Sequence, residues 1–198
     1  INDIKKLLNL MGVSYIHIDG EAEAIASELC RIGYVDYVAT EDMDSLTFGC
    51  PRLIRNCIDR TIKSTDSISI FKLDNLLNDL EINYEQFIEL CILCGCDYCE
   101  NIPRIGNITA YKIIKKYKSI SNYLNTNPKN IPEDYEKKYL KSKELFKMYH
   151  NNINIEELKI NNSELNIDEL LDYLINYCNL SEIRVKNSIK KIQLKYTN

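Results

Sequence analysis

Tryptophan is absent from these 198 residues, and histidine occurs only twice. Neither His17 nor His150 has a serine or cysteine spaced to use it, which argues against a nucleophile of the Ser–His or Cys–His type. His17 reads as a strand residue and His150 as a surface residue. No apolar run approaches the ~18 residues of a membrane-spanning helix, and the first residues lack a secretory pattern. Free intracellular thiols are therefore expected. No internal repeat is present. The eight cysteines also lack the two separated ligand pairs of a structural zinc site. Cys91 and Cys94 lie in the apolar helical run Phe87–Cys94, where small thiols pack well, while Cys30, Cys50, Cys57 and Cys178 are scattered singly.

With 45% hydrophobic residues, the chain is long enough for one core and a smaller helical appendage. The net charge of −4 does not suggest a general nucleic-acid binder, but its distribution is uneven. Residues 1–99 carry 8 basic and 17 acidic side chains, whereas residues 100–149 carry 11 and 5. An acidic block before a basic one suits a cation-binding centre beside a surface for polyanions. The ordinary alternative is a solvated, lysine-rich helix face.

Periodicity predicts a helix over 1–11, a strand over 14–18, a helix over 21–32 stopped by Gly33, and a strand over 35–40. Strands over 52–58 and 67–71 could form a hairpin around 60–65. Beyond Leu73 the pattern is helical, over 73–80, 84–94, 107–117, 119–125, 135–149, 165–178 and 181–195, with loops at 126–132 and 151–154. This order predicts an α/β class, a mostly parallel sheet flanked by helices, followed by a helical region. The expected divisions are 1–97 (α/β core), 98–150 (helix–hairpin–helix) and 151–198 (C-terminal helices). The sheet looks incomplete and the chain opens inside an amphipathic helix, so a missing upstream segment is expected.

The acids are the most informative feature. Asp42 and Asp44 follow the apolar run 35–40, so they stand at the C-terminal end of a strand, where open α/β sheets bind ligands. Glu21 and Glu23 open the preceding helix, and Asp97 follows the apolar helix 84–94. Each has an ordinary reading: acids favoured by a helix dipole, an aspartate turn, a helix N-cap. Five carboxylates meeting at one point would repel unless a cation lay between them, and hard oxygen ligands favour Mg2+ or Mn2+. A second constellation, Asn101-Ile-Pro-Arg-Ile-Gly-Asn107, precedes a helix bearing Lys112, Lys115 and Lys116. A tight turn closing on Gly106 before a basic helix aims N–H groups at phosphates without reading bases.

In combination, Glu21-Ala-Glu-Ala24, Ala39-Thr-Glu-Asp-Met-Asp44, Leu46-Thr-Phe-Gly49, Glu89-Leu-Cys-Ile-Leu93 and Gly95-Cys-Asp-Tyr-Cys-Glu100 resemble the signature blocks of flap endonucleases, a branch of the structure-specific 5′-nucleases. The match is strong over residues 1–125 and weaker beyond. It implies a 5′-nuclease/PIN-like fold and a Mg2+-dependent phosphodiesterase that cuts branched DNA at 5′ flaps and also acts as a 5′-exonuclease. By the resemblance, Glu21 and Glu23 hold a first metal, with Glu23 positioned to bridge. Asp42, Asp44 and Asp97 serve a second, directly or through water, and Mn2+ can replace Mg2+. Two cations about 4 Å apart suit an in-line displacement that needs no protein nucleophile. The turn and basic helix make Arg104, Gly106, Asn107, Lys112, Lys115 and Lys116 the expected DNA contacts, and the resemblance implies that the carbonyls of Ile102 and Ile105 hold a monovalent cation such as K+.

Three departures from the family stand out. Its N-terminal part, with two more metal aspartates and an arch over the flap, is not in this sequence, so little cleavage is expected of this segment alone. Its Gly-Ile-Gly-Pro-Lys-Arg turn reads Arg104-Ile-Gly-Asn-Ile-Thr109 here. The sliding-clamp motif that ends many relatives is missing, and Gln193-Leu-Lys-Tyr196 is no substitute, which leaves a clamp partner to the full protein. The expected partner is branched or flapped duplex DNA, with no membrane, and the expected location is the nucleus of a eukaryote or the interior of a virus-infected cell. The rival reading is a nuclease-like scaffold that grips DNA without cutting it.

Overall fold

The computed structural model describes residues 1–57, 67–126, 128–148 and 158–196. The first half runs α1 (Asn2–Leu10), β1 (Tyr15–Ile16), α2 (Ala22–Arg31), β2 (Val38–Ala39), α3 (Asp44–Thr47), β3 (Arg52–Arg55) and β4 (Ser69–Lys72). Helices α4 (Leu73–Leu80), α5 (Tyr84–Cys94), α6 (Asn107–Tyr117), α7 (Ile120–Leu124) and α8 (Tyr135–Lys147) follow. The chain ends with β5 (Ile160–Asn161), α9 (Ile167–Asp172), a π-helical turn (Tyr173–Tyr177) and α10 (Glu182–Tyr196).

Two units form, one of residues 20–153 and one that joins 1–19 to 154–198. In the larger, β2 pairs in parallel with β3, and β3 pairs antiparallel with β4, so the described sheet is mixed. The apolar helix α5 is central because Ile88, Ile92 and Leu93 are fully buried, each side chain contributing about 1.5–3 kcal/mol. Its start is set by a capping box: Asn83 accepts the Gln86 N–H at 2.9 Å, and Gln86 accepts the Asn83 N–H at 3.1 Å. In the smaller unit, β1 pairs antiparallel with β5, and Leu10, Leu170, Tyr173, Val185 and Ile189 make a separate core.

Several predicted boundaries move. The strand over 35–40 shrinks to Val38–Ala39 because the Val35 N–H is spent on the Leu29 carbonyl, at 3.3 Å, where α2 ends. The strand over 14–18 becomes Tyr15–Ile16 and pairs with Ile160–Asn161, which were too short to signal a strand. His17 lies one residue beyond it, 3.9 Å from Asp19. The strand over 52–58 stops at Arg55, and Asn56 turns left-handed with φ +59°. The hairpin turn at 60–65, His150 and the loop at 151–154 lie outside the described residues. The helix over 165–178 begins only after Asn166, whose side chain accepts the Glu169 N–H at 3.2 Å, and it widens into the π turn.

Gly33 ends α2 as a Schellman motif: its N–H reaches Cys30 O at 3.2 Å and the Tyr34 N–H reaches Leu29 O at 2.9 Å, with φ +78° at the glycine. A Cβ there would meet nothing within 4 Å, so only backbone strain opposes a side chain. Gly33→Ala should therefore cost about 1–2 kcal/mol in urea unfolding, and no loss would show that the motif relaxes freely.

Candidate active site

Local structure in the larger unit leaves the five acids available. Glu21 is the N-cap of α2 but makes no capping bond with its side chain, and Glu23 sits in the first turn. The fully buried Ser27 hydroxyl bonds the Glu23 carbonyl at 2.6 Å and the Ser45 carbonyl at 3.1 Å, tying α2 to α3. After β2, Thr40 Oγ1 accepts the Asp42 N–H at 3.1 Å and Asp42 Oδ1 accepts the Asp44 N–H at 2.9 Å. The aspartate-turn reading of Asp42 is thus correct, and it sets up Asp44 in the first turn of α3. Beyond α5, Gly95 turns at φ +98°, and Cys96 and Cys99 exchange two backbone bonds of 3.1 and 3.2 Å. That tight turn carries Asp97 and Tyr98 at its tip, so Asp97 is not a helix cap.

Electrostatics brings the set together. The Asp44 carboxyl is raised above the ordinary carboxylate range, first by burial and then by the charges of Asp42, Asp97, Glu21 and Glu23. Four acids from three separate segments therefore act on a fifth. They share a region without closing into a cage: among the described residues, no three His, Cys, Asp or Glu side chains stand together at metal-holding geometry. The donor set, all carboxylate oxygen, fits a hard divalent cation. Burial pushes the nearby thiols up, Cys91 to about 12 and Cys99 to about 11. All eight cysteines are free thiols.

The predicted DNA-binding residues are only partly available. Arg104 turns left-handed at φ +70°, Gly106 is the N-cap of α6, and the Asn107 side chain accepts the Ile108 N–H at 2.9 Å. Arg104 and Lys112 are exposed and form no ion pair among the described residues. Lys116 lies 4.8 Å from the centre of the Tyr117 ring. Lys115, by contrast, is bound to Glu81 at 2.7 Å, and Lys138 to Glu100 at 2.7 Å. Lys143 binds Glu89 at 2.5 Å and Glu85 at 3.4 Å, and Lys147 also pairs with Glu85. The basic block counted from sequence is therefore a smaller free surface than its charge suggests. At the turn, the side chains of Ile102 and Ile105 are buried, and the Ile102 carbonyl accepts the Ile105 N–H at 3.0 Å.

Two contributions were missed by sequence reasoning. Glu89, buried on α5, accepts the Ile120 N–H at 2.6 Å and so holds the start of α7, while also binding Lys143 of α8. Tyr98, beside Asp97, packs edge-on against Phe146 of α8, with ring centroids 5.5 Å apart. Its only signal was an aromatic residue next to a candidate ligand inside a signature block.

The fold is that of the 5′-nucleases. The flap endonuclease-1 of Methanococcus jannaschii is similar with a TM-score of 0.74 at 25% identity, over 96% of this chain and 56% of that one. The catalytic core of Rad2 in complex with DNA substrate is similar with a TM-score of 0.73 at 17% identity, over 94% and 66%. Residues 12–97 match the XPG I-region family. Flap endonuclease 1 of Cryptosporidium muris is 41% identical over 97% of this chain and 43% of its own length. The chain belongs to the flap endonuclease family. It spans about half the length of the curated relatives it matches.

Proposed function

We propose that this chain is the part of a structure-specific 5′-flap endonuclease and 5′-exonuclease that carries Glu21, Glu23, Asp42, Asp44 and Asp97. The carrying observation is the influence of the other four carboxylates on Asp44, in sequence blocks of a flap endonuclease. In this reading Glu21 and Glu23 hold one divalent ion, Mg2+ with Mn2+ as substitute, and Asp42, Asp44 and Asp97 serve a second. When bound, such a pair supplies an activated water and neutralises charge on the leaving oxygen. The substrate is branched or flapped duplex DNA, which in a eukaryotic cell means work in the nucleus, during replication and repair. A sliding clamp is a partner of the whole protein. The protein's own residues orient the acids, through the Ser27 hydroxyl between α2 and α3 and the turn that carries Asp97. Residues 1–97 are the acidic part of this reading, and residues 98–150 the part that grips DNA. The carbonyls of Ile102 and Ile105 remain the candidate K+ ligands, each with oxygen lone pairs for a cation.

The direct test is end-labelled 5′-flap DNA incubated with the intact protein and Mg2+. Release of the flap strand that stops with EDTA is expected, and intact DNA at every Mg2+ concentration would end the reading. On the binding side, Lys112→Ala with Lys116→Ala should weaken DNA affinity equally for all sequences and lower the salt slope by about 2. Lys115→Ala should lower it less, because its ammonium already serves Glu81. An unchanged slope in the double variant would make α6 an ordinary solvated helix.

A further inference from the structure

Cys96 and Cys99 oppose each other across the tight turn that carries Asp97 and Tyr98. Each donates its N–H to the other's carbonyl, at 3.1 and 3.2 Å, so the two form a hydrogen-bonded antiparallel pair. Residues opposed in this way project their side chains to one face, with Cα atoms about 5.5 Å apart, close to the commonest separation across a disulfide. Their Cβ atoms stand about 4.5–5.5 Å apart, whereas a disulfide needs about 3.5–4.5 Å. Closing the bond draws the two Cβ atoms together by about 1 Å. Both residues are free thiols, Cys96 partly exposed and Cys99 only 2% exposed. Oxidant can reach Cys96 from solvent, while Cys99 meets it from within the fold.

We propose that Cys96 and Cys99 form a reversible disulfide that disarms the acidic centre, with hydrogen peroxide as the oxidant. The Cys96 sulphur attacks one peroxide oxygen, the O–O bond breaks, and a sulfenic acid forms while the other oxygen leaves as water with the thiol proton. The Cys99 sulphur then attacks the sulfenic sulphur, the S–O bond breaks, and a second water carries off that oxygen and the Cys99 proton. The two thiols together lose two electrons, and peroxide is reduced to two waters. Burial raises both thiols above their ordinary range, so thiolate is scarce and closure takes hours rather than seconds. Because the Cβ atoms must be drawn together, the bond is strained and easily reduced, which makes it a switch and not a staple. The ring it closes encloses Asp97 and Tyr98. Tyr98 is anchored on Phe146, with ring centroids 5.5 Å apart and planes at 71°, so the contraction is passed to Asp97. A displacement of about 1 Å in a group that positions reacting atoms can cost about a hundredfold in rate. That consequence rests on the divalent-ion reading above, whereas formation of the bond does not.

The experiment treats the intact protein with hydrogen peroxide in EDTA, removes the oxidant, and locates cross-links by differential alkylation and fragmentation mass spectrometry. Flap cleavage and Mn2+ binding, the latter by electron paramagnetic resonance, are measured before oxidation, after it, and after reduction with a phosphine. Wild type should gain a Cys96–Cys99 disulfide and lose at least about tenfold in cleavage and in Mn2+ affinity, and the phosphine should restore both. Cys96→Ser should form no such bond and keep its activity through the treatment. Cys94→Ser, which removes the exposed thiol at the end of α5, should behave as wild type. Alkylation of both Cys96 and Cys99 after oxidation overturns the proposal, as does a cross-link formed by other cysteines in their place. A Cys96–Cys99 bond that leaves cleavage and Mn2+ binding unchanged overturns the switch. If the reduced wild-type protein neither cuts nor binds Mn2+, the divalent-ion reading falls and takes the switch with it, while the mass still decides the cross-link.

Discussion

Asp44→Ala in the intact protein should lower the rate of flap cleavage by more than about a hundredfold, the upper end of what partners outside a coordination shell cost, and leave flap-DNA binding nearly unchanged. Asp44 is the acid on which the other four act, and it stands in the first turn of α3, held there through its own N–H by Asp42. In the proposed reading its removal deletes a metal ligand while leaving Arg104, Lys112 and the turn before α6 untouched. Because a carboxylate repels phosphate, its loss gives no reason for weaker DNA binding. The measurement is single-turnover cleavage beside fluorescence-anisotropy binding on the same flap. Normal turnover in Asp44→Ala would show that the ion site lies elsewhere. Loss of both cleavage and binding would make Asp44 a residue that folds the surface rather than one that holds the ion.

The second large effect concerns stability. Glu89→Ala should cost about 3 kcal/mol and lower Tm by roughly 10 °C. The carboxylate is buried, with one oxygen on the Ile120 N–H and the other on Lys143, so truncation leaves a buried N–H and a desolvated ammonium without their acceptor. The figure lies at the low end for a broken buried pair because the Lys143 side chain keeps 27% exposure and a second partner in Glu85. Glu89→Gln keeps an acceptor for Ile120 and should recover part of the loss. A Tm within about 2 °C of wild type in Glu89→Ala would mean that water replaces the carboxylate and that α5, α7 and α8 dock by apolar packing alone.

Legibility followed the range of each signal. The helices α2, α5, α6 and α10 were readable to within one or two residues, because apolar periodicity and a local stop such as Gly33 act within a few residues of chain. The strands were readable only as places, since their length and partner depend on chain far away in sequence. Tyr15–Ile16 pairs with Ile160–Asn161, more than a hundred residues on, and nothing local announces it. The lysines show the same limit: charge could be counted, but only packing decided that Lys115 faces Glu81, Lys138 faces Glu100, Lys143 faces Glu89 and Lys147 faces Glu85.

The sequence by itself determined the chemistry on offer: five carboxylates in ordered blocks, no nucleophile–histidine pair, and a glycine turn before a basic helix. Those properties belong to residue types and short spacings, which survive without any fold. Only the tertiary structure decided that the acids act on one another through Asp44, that the turn carrying Asp97 packs its tyrosine on Phe146, and which lysines remain free. The reason is physical: electrostatic influence and hydrogen bonding fall off over a few ångströms of space, and distance along a chain does not fix distance in space.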